Sequence, residues 1–187
     1  MPWNFFTTAV QQGCGCIVAN EGILKKVYFP REILPVSIVT STLVNFLITC
    51  IIMFVFIIFG GVGVTWHVLL FPLIILIQYI ITLALVFILS AIVVFVRDVD
   101  HFVGIVLMLA FYVTPIIYTP DMLPAKFQWA ITFNPIAQLI NAYRDVLYYH
   151  QLPNMTSLGI VGLISLVALG LGYMIFKKLE RNFVEEL

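Results

Sequence analysis

Charge is what this chain has least of. Only 10% of its 187 residues are Asp, Glu, Lys or Arg, and from Ile33 to Val96 none occurs. A charge at mid-bilayer costs roughly 2.5 to 3.5 kcal/mol even on the lenient insertion scale, so a charge-free run of this length is membrane. At 63% hydrophobic residues and a mean hydropathy of +1.12, a water-soluble domain is excluded, because it would expose far more apolar surface than water tolerates. Cysteine is also scarce: Cys14, Cys16 and Cys50 form no ligand set, and the C-x-C pair lacks the His or Cys partners of a zinc or redox site. The first residues do not read as a signal peptide, since nothing basic precedes them and no small-residue cleavage site follows an apolar core. Catalytic patterns are missing too. There is no G-x-x-x-x-G-K-[ST], no H-E-x-x-H, no G-x-S-x-G and no carboxylate pair in any span, which disfavours an enzyme. Ionisable groups are absent from the spans, which disfavours a proton- or sodium-coupled carrier. His67, His101 and His150 fall at helix edges and polar connectors and read as solvated or interfacial residues.

Against that background, Asn20 to Pro35, NEGILKKVYFPREILP, is the polar interruption of the front half. Before it, Trp3 to Val18 reaches only about 24 Å against a hydrocarbon core of about 30 Å, so residues 1–18 read as half of a spanning helix. Gln11, Gln12, Gly13 and Gly15 suit packing against protein better than lipid. Complete spans are predicted at 36–59, 68–96, 102–118 and 158–176. Gly60 to His67, GGVGVTWH, makes a short turn with an interfacial Trp66, and Pro72 falls near a helix start where its missing N–H does least harm. The connector RDVDH, Arg97 to His101, returns the chain to the side of the basic loop, and Pro115 and Pro120 disturb the third span. Residues 119–156 are too many for a plain turn. There Asn134-Pro135 is a helix start, followed by Ile136, Leu139, Ile140, Tyr143 and Leu147 at helical spacing, with Gln138, Asn141, Arg144 and Asp145 between them. This amphipathic helix is too polar to span and either lies in the interface or re-enters the membrane against protein. The inward form is expected, with Arg144 bonded to a backbone carbonyl or to an acid such as Asp121 or Asp145. Gly159, Gly162, Gly170 and Gly172 suit close packing of the last span, and residues 177–187 form a charged tail. The expected fold is one transmembrane domain over residues 1–187, an all-α integral membrane protein. It is a polytopic helical bundle with four complete transmembrane helices, a partial N-terminal one and an outer re-entrant amphipathic helix.

Orientation follows from placing the Asn20 loop, the Arg97 connector and the tail on one side. That side collects Lys25, Lys26, Arg31, Arg97, Lys177, Lys178 and Arg181 of the nine Lys and Arg, leaving Lys126 and Arg144 opposite, so it is expected to be cytoplasmic, C-terminus included. With no energy source in the chain itself, Lys25, Lys26, Tyr28, Phe29, Pro30, Arg31 and Glu32, with Arg97 and Asp98 of the connector, form a candidate docking surface for a separate motor protein. The alternative is a loop that only anchors topology.

The run LKKVYFPREILP, the following LVNFLI, the RDVDH connector, the TPIIY and NPIAQLINAYRDVL pair and the short charged tail together resemble the type 2 ABC transporter permeases of the polysaccharide and polyol phosphate export family. These serve O-antigen, capsule and teichoic acid export, and the resemblance covers essentially the whole chain. It implies a multi-pass protein of the bacterial cytoplasmic (inner) membrane that works as a homodimer with a separate ABC ATPase subunit. ATP and magnesium would be held by that subunit and no cofactor by this chain; the cargo would be a lipid-linked polymer, with membrane lipid as the other partner and no nucleic acid. It implies that the loop matching Asn20 to Pro35 contains a coupling helix, and that residues 119–156 re-enter at the outer mouth, with Asn134, Pro135 and Arg144 there. Trp3, Phe5, Phe6, Phe111 and Tyr112 are candidates for aromatic residues of the polymer path, packing aromatics being the alternative. Family members begin with an amphipathic segment, a first transmembrane helix and half of a second; Met1 stands in mid-helix by that comparison, so the chain is expected to be N-terminally truncated. An exporter of a drug or lipid, and a non-transporting membrane scaffold, remain alternatives.

Overall fold

One long apolar helix lies at the centre of the chain and the others surround it. In the computed structural model, which describes residues 1–25, 30–59, 65–116 and 133–183, eight α-helices are found among the described residues. They are α1 (Pro2–Cys14), α2 (Cys16–Ala19), α3 (Glu21–Leu24), α4 (Ile33–Phe59), α5 (Phe71–Phe95), α6 (Val99–Val113), α7 (Pro135–Leu147) and α8 (Met155–Leu179). Short 3₁₀ turns at Trp66–Leu70 and Glu180–Asn182 lead into α5 and end α8. The most apolar stretch of α5 is 61% buried, against 17% for α4 and 22% for α8, although α4 is just as apolar, so position in the bundle and not composition sets the difference. Helices α1, α4, α6, α7 and α8 all pack on it.

Among the described residues, three segments are long and apolar enough to cross a membrane: Ile33–Phe59, Trp66–Phe95 and Met155–Asn182. Val99–Val113 is a shorter apolar helix. Ile51, Phe56 and Phe59 of α4, Ile105 and Met108 of α6 and Leu163 and Leu166 of α8 stand exposed on the single chain, where lipid or another protein is the matching surroundings. Buried hydroxyls within these segments are satisfied locally: Thr42 donates to Ile38 O at 2.8 Å, Thr82 to Gln78 O at 2.7 Å and Ser165 to Val161 O at 2.7 Å.

Several boundaries differ from expectation for identifiable reasons. The first span starts at Ile33 rather than Val36, with Pro35 accommodated in the opening turn. The expected turn at Gly60 lies largely outside the described residues, and its end, Trp66 and His67, joins the helical entry to α5. Helix α6 begins at Val99 and stops at Val113, because Thr114 precedes Pro115 and is extended at ψ 133°. The half helix at the start is interrupted at Gly15, which separates α1 from α2. Gln11 and Gln12 are largely exposed, but the Gln11 amide lies against Gly104 of α6, and Gly13 packs closely on Val86 of α5. In α8 the glycines divide. Gly172 presses on the backbone of α5 and Gly162 makes ordinary contact with Ile77, whereas Gly159 and Gly170 have nothing within 4 Å, correcting the expectation that all four serve close packing.

Candidate functional site

The chain gathers its polar side chains at its two ends, and each end is built by residues far apart in sequence. At one end, Arg31 and Glu32 precede α4 and meet the end of α8. Lys177 bridges Glu32 and Glu180, the latter at 3.0 Å, and the Arg31 guanidinium donates to the backbone carbonyl of Glu180. The site suits these charges: the C-terminus of α8 carries unsatisfied carbonyls and partial negative charge, which Arg31 and Lys177 complement. Arg31 also lies over the Phe183 ring at 5.9 Å. Phe183 is fully buried, 5.7 Å from the Phe176 ring and 6.1 Å from that of Phe95 at the end of α5.

In the segment that leads to that end, Lys25 bonds Glu21 Oε1 at 2.6 Å. That hydrogen bond and the Lys25 charge, with Arg97 adding a smaller share, hold the Glu21 carboxyl below its ordinary range. Pro30, Arg97 and Asp98 are exposed at this end, while Lys26, Tyr28 and Phe29 lie outside the described residues. The tail's Lys177, Glu180 and Phe183 are absent from the sequence-based site, where the tail counts only as positive charge. The signal is in the sequence: Lys177 and Glu180 at i, i+3, and Phe176 and Phe183 at i, i+7, share a helical face.

At the other end α7 folds inward. Asn134 caps it, its side-chain oxygen accepting from the N–H of Ile136 at 3.0 Å and of Ala137 at 3.3 Å, while its amide donates to Thr114 Oγ1 at 3.2 Å. Arg144 donates to the carbonyls of Pro115 and Ile116 at 3.0 and 2.9 Å, the backbone-carbonyl arrangement expected of an inward helix. Of the two acids expected as alternative partners, Asp145 accepts from Gln151 Nε2 at 2.8 Å and Asp121 lies outside the described residues. The buried face is Ile136, Ala137, Leu139, Ala142, Tyr143 and Val146, so Ile140 and Leu147 are only half-buried, displaced by alanines that allow closer approach. His150, in the left-handed region at φ 52°, meets Thr65 Oγ1 through Nδ1 at 2.8 Å.

The aromatic residues separate into two groups. Trp3 lies 5.6 Å from Phe6 and 6.1 Å from Phe111, which is 5.5 Å from the exposed Tyr112. This seam borders an apolar groove of about 500 Å³ between α1, α5 and α6 that reaches Thr114 and Asn134 at the inward end of α7. Phe5 is elsewhere. It stacks on Phe46 at 5.4 Å, beside Tyr143 and Phe71. Trp3, Phe5 and Phe6 are all buried, so of these five candidate rings only Tyr112, and in part Phe111, is exposed on the single chain. No group of His, Cys, Asp and Glu able to hold a metal occurs among the described residues.

A family model described as ABC-2 type transporter matches residues 1–148. Over its whole length the chain is 35% identical to the O-antigen export system permease protein RfbA of Myxococcus xanthus, covering 73% of that protein. It is 36% and 34% identical to two proteins of the same name from Klebsiella pneumoniae, covering 72% of each.

Proposed function

Since this chain belongs to the ABC-2 type transporter family, we infer that it is the membrane permease subunit of an ABC exporter of polysaccharide, the O-antigen named for its relatives being the model cargo. The cargo is lipid-linked, and crosses the bacterial cytoplasmic membrane through a homodimer of this permease driven by a separate ATPase that holds ATP and magnesium. One observation carries the reading: the start of α4, the end of α5 and the end of α8 converge on a single charged end. Six described cations, Lys25, Arg31, Arg97, Lys177, Lys178 and Arg181, belong to those segments or lead into or out of them, so by the positive-inside pattern that end is cytoplasmic, where the motor is. The loop from Asn20 to Pro35 meets the motor there. Phe111 and Tyr112, with Asn134 and Arg144, belong to the outer mouth.

The reading is tested in a bacterium that makes this protein and a lipid-linked surface glycan. Removing the protein should abolish surface polymer while lipid-linked polymer accumulates inside, and restoring it should reverse both. Unchanged surface polymer with loss of drug tolerance would instead make it an exporter of small molecules.

A further inference from the structure

We propose that the C-terminal segment from Lys177 to Phe183 is a positioning element for the motor-facing loop, clasping the start of α4 so that force on the loop reaches the central helix. The inference rests on the reading that the loop meets an ATPase, and adds a second segment to that contact. Positive charge kept only for topology needs no defined partner. Here Lys177 is held between two carboxylates, Arg31 occupies a helix-terminal carbonyl, and the Arg31 guanidinium covers an aromatic ring.

The ring it covers is the joint. Phe183 is fully buried and contacts both Phe176 of α8 and Phe95 of α5, so one side chain touches the two helices that press together at Gly172. Displacing Arg31 or Glu32 therefore requires moving the ends of α8 and α5, or breaking the clasp. An intact clasp transmits loop movement to the bundle. A broken one leaves the motor bound to a loop that no longer moves the helices, so hydrolysis continues while export falls.

The experiment measures ATP hydrolysed per polymer exported, using the complete transporter with its ATPase in membrane vesicles. Lys177→Glu places three carboxylates together and should raise that ratio about tenfold. Glu32→Lys/Lys177→Glu/Glu180→Lys, which restores both pairs with reversed sign, should return it to within about twofold of the parent. Phe183→Ala removes the joint without a charge change and should raise the ratio several-fold, with Phe183→Leu between it and the parent. A triple variant no better than Lys177→Glu, or a Phe183→Ala protein that inserts and couples normally, would overturn the clasp. Phe29→Ala separates the two ideas: normal coupling there, alongside rescue by charge reversal, would keep the clasp and remove the motor contact from the Phe29 surface.

Discussion

Substituting Gly172 tests the packing on which transmission depends. A Cβ there would lie 2.7 Å from the carbonyl oxygen of Ala84 and 3.3 Å from Ile88 Cγ1. Close carbon-to-carbonyl contacts between helices settle at about 3.3 to 3.6 Å, so α8 must retreat from α5 by roughly 0.6 Å. The oxygen belongs to the backbone of the central helix and cannot rotate away. A gap of about 0.5 to 1 Å forfeits a quarter to a half of each neighbouring dispersion contact, and overpacking of this kind costs about 1 to 3 kcal/mol. Alanine also favours a helix over glycine by about 1 kcal/mol, but that gain is shared by Gly170→Ala, where nothing lies within 4 Å. The difference between Gly172→Ala and Gly170→Ala should therefore be about 1 to 3 kcal/mol, with Gly170→Ala at or above the parent. Heating the purified protein in detergent and following the folded fraction by size exclusion measures it. Equal losses in the two variants would refute the close approach of α8 to α5.

Arg144→Ala removes charge-assisted bonds to the carbonyls of Pro115 and Ile116, each worth about 1.5 to 3 kcal/mol, and should cost stability by the same assay and slow polymer release; unchanged transport would make α7 a surface element. Its neighbour behaves oppositely. Tyr143 is buried with no partner for its hydroxyl among the described residues, so Tyr143→Phe should be neutral or stabilising, and a loss above about 1 kcal/mol would reveal a partner. In intact cells a membrane-impermeant thiol reagent should label Lys126→Cys and miss Lys178→Cys, with little background from the buried Cys14, Cys16 and Cys50, and the reverse pattern would invert the topology.

The spans are legible because a charge-free run and a helical period are local properties. The Asn134 cap and the inward Arg144 follow from a short motif, and the structure contains both. Contacts between distant segments are not legible in that way. Nothing beside Gly172 distinguishes it from Gly170, because the difference is whether Ala84 of another helix stands opposite. Phe5 and Phe6 are adjacent in sequence yet face separate aromatic groups, since consecutive helical residues point about 100° apart. Arg31 and Glu180 are 149 positions apart, so the charged end arises only when α4 and α8 are placed together on α5.

The most direct test of the permease reading is transport itself. Inside-out membrane vesicles containing the complete transporter and its ATPase, supplied with lipid-linked glycan on the outside, should move the glycan into the lumen only when ATP and magnesium are added. Protection of the glycan from an added glycosidase reports the movement. Export should be lost when the ATPase is inactivated while this protein remains inserted. Glycan that becomes protected equally without ATP, or without this protein, would contradict the account.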